Sequence, residues 1–118
     1  MSVIRGICIA YCLTLFAATH APVPELLHEI VSVYDKMIHA AAFCVLGALI
    51  FLTLCGVPPS RPPSLWMLLG LLIYAGIDEY LQGFTHRTPD LADWISDGCG
   101  IVLAFLLVRC FVLIRLKY

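Results

Sequence analysis

Apolar residues dominate four stretches of the chain, 3–18, 36–57, 64–84 and 90–114, and polar or proline-rich breaks separate them. Each stretch comes close to the ~20 residues that carry a helix across the ~30 Å hydrocarbon core of a bilayer. The pattern therefore predicts four membrane-crossing helices. The break after the first is Thr19-His20-Ala21-Pro22-Val23-Pro24. The break after the second is Pro58-Pro59-Ser60-Arg61-Pro62-Pro63, where four prolines cannot continue a helix and predict a tight connection. Before the fourth, Thr88-Pro89-Asp90 predicts a helix start, with a capping hydroxyl, proline at the first helical position and acids in the first turn.

Composition supports this reading. Of 118 residues, 62% are apolar and 13% charged, against about 45–50% and about 25% in soluble domains. The expected fold is all-α: a single integral membrane four-helix bundle over 1–118, with short loops. A net charge of −1 and the absence of any basic run argue against a nucleic-acid partner. Cys8, Cys12, Cys44, Cys55, Cys99 and Cys110 lie inside or at the ends of apolar stretches without metal-ligand spacing, and read as small packing residues.

Charge also gives a direction. Arg5, Arg61, Arg109, Arg115 and Lys117 fall on the side of the termini and the proline-rich connection, and only Lys36 and Arg87 on the other. The positive-inside rule then predicts both termini in the cytoplasm and the two acidic connections outside. Arg5 and the apolar segment ending at Ala17-Ala18 also admit a signal peptide, which would leave the sidedness of the other helices unchanged.

Every acid and every histidine falls near the two outer connections. An ionisable residue within a membrane helix costs roughly 2.5–3.5 kcal/mol at its centre, so such residues are functional candidates by default. Asp35 and His39 are four residues apart and share a helix face, as do Asp78 and Gln82. Asp90, Asp93 and Asp97 form one stripe. At 1.5 Å per residue, His39 lies about 6 Å inside Asp35, Asp78 about 9 Å inside Phe84, and Asp97 about 6–10 Å below its helix start. Three helices thus bring polar groups to one level beneath the outer surface. Glu25, Glu29, His20, His28 and His86 read as a solvated loop.

The acids Asp35, Asp78, Glu79, Asp90, Asp93 and Asp97 outnumber the cations Lys36 and Arg87. Raised pKa values, ion pairs or a bound divalent cation would each relieve the excess. Asp78, Glu79 and Asp97 are the candidate metal ligands. His39, Asp78, Glu79, Asp93 and Asp97 are the candidate catalytic acids and bases. Lys36, Gln82 and Arg87 are the candidate substrate-binding groups. Gly98, Gly100 and Ala104, with Ala40, Ala41 and Gly47, predict a close helix–helix approach. Trp66 and Trp94 read as anchors at opposite interfaces.

The ordered blocks Asp35-Lys36-x-x-His39-x-x-x-Phe43-x-x-Leu46-Gly47, Asp78-Glu79-x-x-Gln82-x-Phe84 and Arg87-x-x-Asp90-x-x-Asp93-x-x-x-Asp97-x-x-Gly100 resemble the VanZ-like membrane protein family, from about His20 to the end of the fourth helix. Two positions depart from that pattern. Position 97 is often Asn, and the aromatic at 43 is commonly Tyr. The resemblance implies a bacterial inner-membrane protein with an envelope-side polar site. It also brings an association of the founding member with low-level teicoplanin resistance, but no reaction.

Two functions from different classes fit these residues. One is a membrane-embedded enzyme acting on a lipid-linked or cell-envelope substrate. The other is a non-catalytic protein whose polar network shapes a docking site for a lipid, a glycopeptide or an envelope partner. Ion or proton passage fits less well, because the acids stop about a third of the way in and the inner helix halves offer no relay.

Overall fold

A computed structural model describes residues 2–85 and 87–118. His86 lies outside the described residues, so its assignment to a solvated loop is not tested. Among the described residues the chain forms four α-helices: α1 (Val3–His20), α2 (His28–Cys55), α3 (Leu65–Gln82) and α4 (Leu91–Lys117). One turn of 3-10 helix, Glu25–Leu27, leads into α2.

The helices occur in the predicted order, but their ends differ. α2 begins eight residues before the expected position 36. Only Ala21–Pro24 breaks the chain there, because nothing after Pro24 removes a backbone donor. At 1.5 Å per residue, its 28 residues span about 42 Å, longer than the ~30 Å that a hydrocarbon core requires. His28 and Glu29 are therefore the exposed first turn of α2, not loop residues. The start of α4 also shifts. Asp90, not Thr88, is the cap, and its carboxylate accepts from the Ala92 N–H at 2.9 Å. Asp suits the cap because it leaves the backbone extended while satisfying an orphan amide. α3 begins as expected, with the Ser64 hydroxyl accepting from the Met67 N–H.

Three segments are long and apolar enough to cross a membrane: α1, Glu25–Cys55 and α4. α3 is outside this set. Asp78, Glu79 and Gln82 in its last turns dilute an otherwise apolar 18-residue helix.

α2 and α4 form the centre of the bundle, α3 packs on α4, and α1 on α2. Phe43, Leu46 and Phe51 of α2 interlock with Ile101, Ala104, Phe105 and Val108 of α4, and Leu71 and Ala75 of α3 complete the core. Small residues bring α2 and α4 together as expected. A Cβ built on Gly100 would stand 2.1 Å from the Ala40 carbonyl oxygen, and one on Gly47 3.0 Å from the Ala104 Cβ. Gly98 instead faces Leu72 of α3, and Ala41 is exposed. The Tyr11 hydroxyl donates to the Ala42 carbonyl at 2.8 Å, tying α1 to α2. Arg109 donates to the Pro63 carbonyl at 2.8 Å and closes the end remote from the acids. The outward faces carry large apolar residues such as Leu13, Ile73, Leu106 and Phe111, as expected of surfaces that meet lipid.

Candidate functional site

The α2–α4 contact sets the site. Ala40 and Gly100 touch, so His39, next to Ala40, meets Asp97, one turn before Gly100. The His39 Nδ1 lies 2.8 Å from the Asp97 Oδ1. His39 is buried and Asp97 has no exposure at all. An ionised Asp97 can only accept, so the proton of a neutral His39 sits on Nδ1 and the Nε2 lone pair points away. Nε2 is 3.6 Å from the Asp35 Oδ1 and 3.7 Å from the Asp93 Oδ2. Those separations exceed hydrogen-bond length.

Lys36 holds the same two carboxylates from their other side. Its ammonium donates to the Asp35 Oδ2 at 3.4 Å, to the Asp90 Oδ2 at 2.8 Å and to the Asp93 Oδ1. Asp35 and Asp93 thus each offer one oxygen to Lys36 and the other to the His39 side. The Lys36 ammonium, with the Ala92 N–H, holds the exposed Asp90 carboxyl below its usual pKa.

α3 supplies the inner wall. The Glu79 Oε1 accepts the Asp90 backbone N–H at 2.7 Å, which fixes the start of α4 against α3. Gln82 donates to the Asp78 Oδ2 at 3.2 Å, the i, i+4 pairing expected from sequence. Trp94 packs against α3. Its indole N–H donates to the Leu72 carbonyl at 3.2 Å, with the ring over Gly76.

The expected set therefore comes together only in part. His39, Asp93, Asp97 and Lys36 share one centre with Asp35. Glu79 borders it, and its reach overlaps theirs. Asp35, His39 and Asp93 offer ligand atoms within 4.8 Å of one another, and so do His39, Glu79 and Asp97. Asp78 belongs to neither group, so the expected ligand set of Asp78, Glu79 and Asp97 is not the one the geometry assembles. Arg87 makes none of the ion pairs expected of it among the described residues. It donates from Nε to the Ala21 carbonyl at 3.1 Å and from an Nη to that of Ala18 at 3.5 Å. A cation there satisfies the C-terminal carbonyls of α1.

His20, read from sequence as a loop residue, is the last residue of α1. Its Nδ1 lies 3.8 Å from the Asp78 Oδ1, and its ring stacks on Phe16. Composition gave no signal for this, because His20 follows the apolar run and α1 continues two residues past it. Among the described residues, His20 Nε2, Asp78 Oδ1, Glu79 Oε2 and Asp97 Oδ2 are buried without a hydrogen-bond partner. Such groups are rare in folded proteins, because each costs about 1–3 kcal/mol.

A cavity of about 170 Å³ opens between α1 and α2. Asp35, His39 and Arg87 give it polar walls, and Leu15, Val31, Ile38, Ala42 and Phe43 line the apolar part. Acid, imidazole and guanidinium therefore face one space that continues into hydrocarbon-like surface.

Fold and site together define a small, all-helical protein of membrane-spanning helices with a buried histidine–carboxylate cluster at one end of the bundle. A family model described as VanZ/LLP1 matches residues 4–114, nearly the whole chain, and the chain belongs to that family. Comparison with curated proteins and with solved structures gives no match.

Proposed function

We propose that the chain is a multi-pass protein of the bacterial inner membrane with cytoplasmic termini, and that the His39 cluster is an acid–base site at the outer leaflet. Its substrate is an anionic, lipid-linked component of the cell envelope. One observation carries this reading. The His39 imidazole is held at Nδ1 by Asp97, its Nε2 makes no hydrogen bond among the described residues, and His39 and Arg87 line one cavity.

The roles follow from the chemistry. Asp97 fixes the tautomer and orientation of His39, and Nε2 is then the atom that takes up and returns a proton. Arg87 uses two of its five N–H donors on α1 carbonyls, and its planar fork suits a phosphate or carboxylate headgroup. The apolar lining receives the first part of the lipid chain. Lys36 holds Asp35, Asp90 and Asp93 in register. The proposal extends to a role in low-level teicoplanin resistance, by resemblance to the founding member of the family.

A second reading rests on the Lys36 and Glu79 contacts, which pin α2 and α3 to the start of α4. In that reading the network is structural, and the protein binds a lipid, glycopeptide or partner without turnover. His39→Asn separates the two. The Asn amide retains a donor near Nδ1 for Asp97 but lacks Nε2. Teicoplanin susceptibility of a glycopeptide-sensitive host is measured beside the abundance of folded protein in its membrane. Catalysis predicts that protection is lost while abundance is kept. If protection persists in the variant, Nε2 has no part in the function.

A further inference from the structure

We infer that Asp35, His39 and Asp93 form a binding site for one divalent cation of the Mn²⁺ or Zn²⁺ class, with Asp97 as the positioning residue behind the histidine. The site coincides with the proposed acid–base centre. What the ion would do for a substrate rests on that reading, but its binding does not.

The three donor atoms are the His39 Nε2, the Asp35 Oδ1 and the Asp93 Oδ2, with Nε2 3.6 Å and 3.7 Å from the two oxygens. Metal–ligand bonds of 2.0–2.2 Å in tetrahedral array place ligand atoms about 3.4 Å apart. The two sides that meet at Nε2 therefore need to contract by only about 0.2–0.3 Å, and all three residues offer ligand atoms within 4.8 Å of one another. Carboxylate oxygens with one imidazole suit Mn²⁺ and Zn²⁺. The Lys36 ammonium does not block this facet, because it binds the opposite oxygen of each carboxylate.

Independent observations point to a ligand here. His39 is only 6% exposed, yet its Nε2 makes no hydrogen bond among the described residues. An imidazolium would donate from both nitrogens, and 3.6–3.7 Å is too long for that. A neutral ring with its Nδ1–H on a buried carboxylate is how metal-binding histidines are oriented. The Asp97 Oδ2, on the carboxyl behind the histidine, is also buried without a partner. Charge agrees as well. Lys36 faces Asp35, Asp90 and Asp93, with Asp97 and Glu79 behind, and a dication lowers that excess. Asp35 and His39 also line the cavity, which leaves a remaining coordination position open to an anionic oxygen.

Mn²⁺ is the probe, because the six cysteines would compete for Zn²⁺. The purified full-length chain in detergent is titrated with Mn²⁺, and binding is read by electron paramagnetic resonance. Echo-modulation measurements on the bound ion report nitrogen coordination. The expected result is one Mn²⁺ per chain with one histidine nitrogen coupled. His39→Asn abolishes the nitrogen coupling, and Asp93→Asn weakens binding at least tenfold. Asp97→Asn weakens it by about 10–100-fold, the usual effect of losing such a partner. Asp35→Asn is the further check, because it lowers affinity while keeping the nitrogen coupling, whatever the stability of the other variants. Absence of bound Mn²⁺ in the wild-type chain overturns the inference, as does a bound ion without nitrogen coupling. Either result leaves retention of protection by His39→Asn as the separate test of the acid–base reading.

Discussion

Gly100→Ala disturbs the contact from which the site is built. Its new Cβ would lie 2.1 Å from the Ala40 oxygen and 2.9 Å from the Cys44 nitrogen, both backbone atoms of α2. Ordinary contact begins about 1.3 Å farther out than the first of these, and backbone inside a helix cannot turn aside as a side chain can. The helices must separate or rotate. His39 adjoins Ala40, and Asp97 lies one turn before Gly100, so a shift of that size carries the 2.8 Å His39–Asp97 contact out of hydrogen-bond reach. Overpacking costs about 1–3 kcal/mol, and losing a hydrogen bond to a charged group about 1.5–3 kcal/mol. The helix propensity of alanine returns up to about 1 kcal/mol. The expected net loss is about 2–5 kcal/mol. Gly70→Ala is the control, because nothing stands within 4 Å of its Cβ. Equilibrium unfolding in mixed micelles, followed by circular dichroism, should place Gly70→Ala within about 1 kcal/mol of the parent chain, the size of the propensity difference. Equal stability of Gly100→Ala and Gly70→Ala, with the His39 ring resonances unchanged, would refute the close α2–α4 approach as the basis of the site.

Removing His39 as His39→Ala leaves Asp97 buried without its donor and should cost about 1.5–3 kcal/mol, the loss of a hydrogen bond to a charged group, whereas Asp97→Asn keeps an acceptor, removes the charge and should not lower stability. A micelle unfolding series on both variants checks this, and a loss in Asp97→Asn as large as in His39→Ala would contradict it. The Asp90 carboxyl should titrate below the usual aspartate value, and Lys36→Met should raise it. Because the folded-state pKa is depressed, the stabilisation by Asp90 is present above the unfolded-state value and lost as pH falls through the folded one. Carboxyl-carbon NMR titration reads both shifts. A cysteine placed at Asp35 should react with an impermeant thiol reagent from outside, and one placed at Arg61 should not. Labelling of position 61 in intact cells would reverse the proposed orientation.

Much of this was legible in the sequence for particular reasons. The apolar stretches and the proline connection specify four helices, because in hydrocarbon a single apolar segment satisfies its backbone groups internally only as a helix. The i, i+4 spacings place Asp35 with His39 and Asp78 with Gln82, since helical period alone determines shared faces. Small residues at 40, 47, 100 and 104 foretell the contact that sets the site. What the sequence could not show was the rotation of one helix against another. That rotation turns Asp78 towards Gln82 and His20 rather than into the cluster, and sends Arg87 to the end of α1. The long first turns of α2 were hidden for another reason: their exposed polar residues have the composition of a loop. His20 escaped notice because a helix end and a loop look alike in composition.

The most direct test is an experimental structure of the protein purified with its native lipid, read at the cavity between α1 and α2. The proposed function predicts an anionic headgroup there, bonded to the Arg87 guanidinium and within hydrogen-bond or metal-bridged reach of the His39 Nε2, with its chain along Leu15 and Phe43. A cavity occupied only by water or acyl chain, with Arg87 turned away from it, would contradict a substrate site.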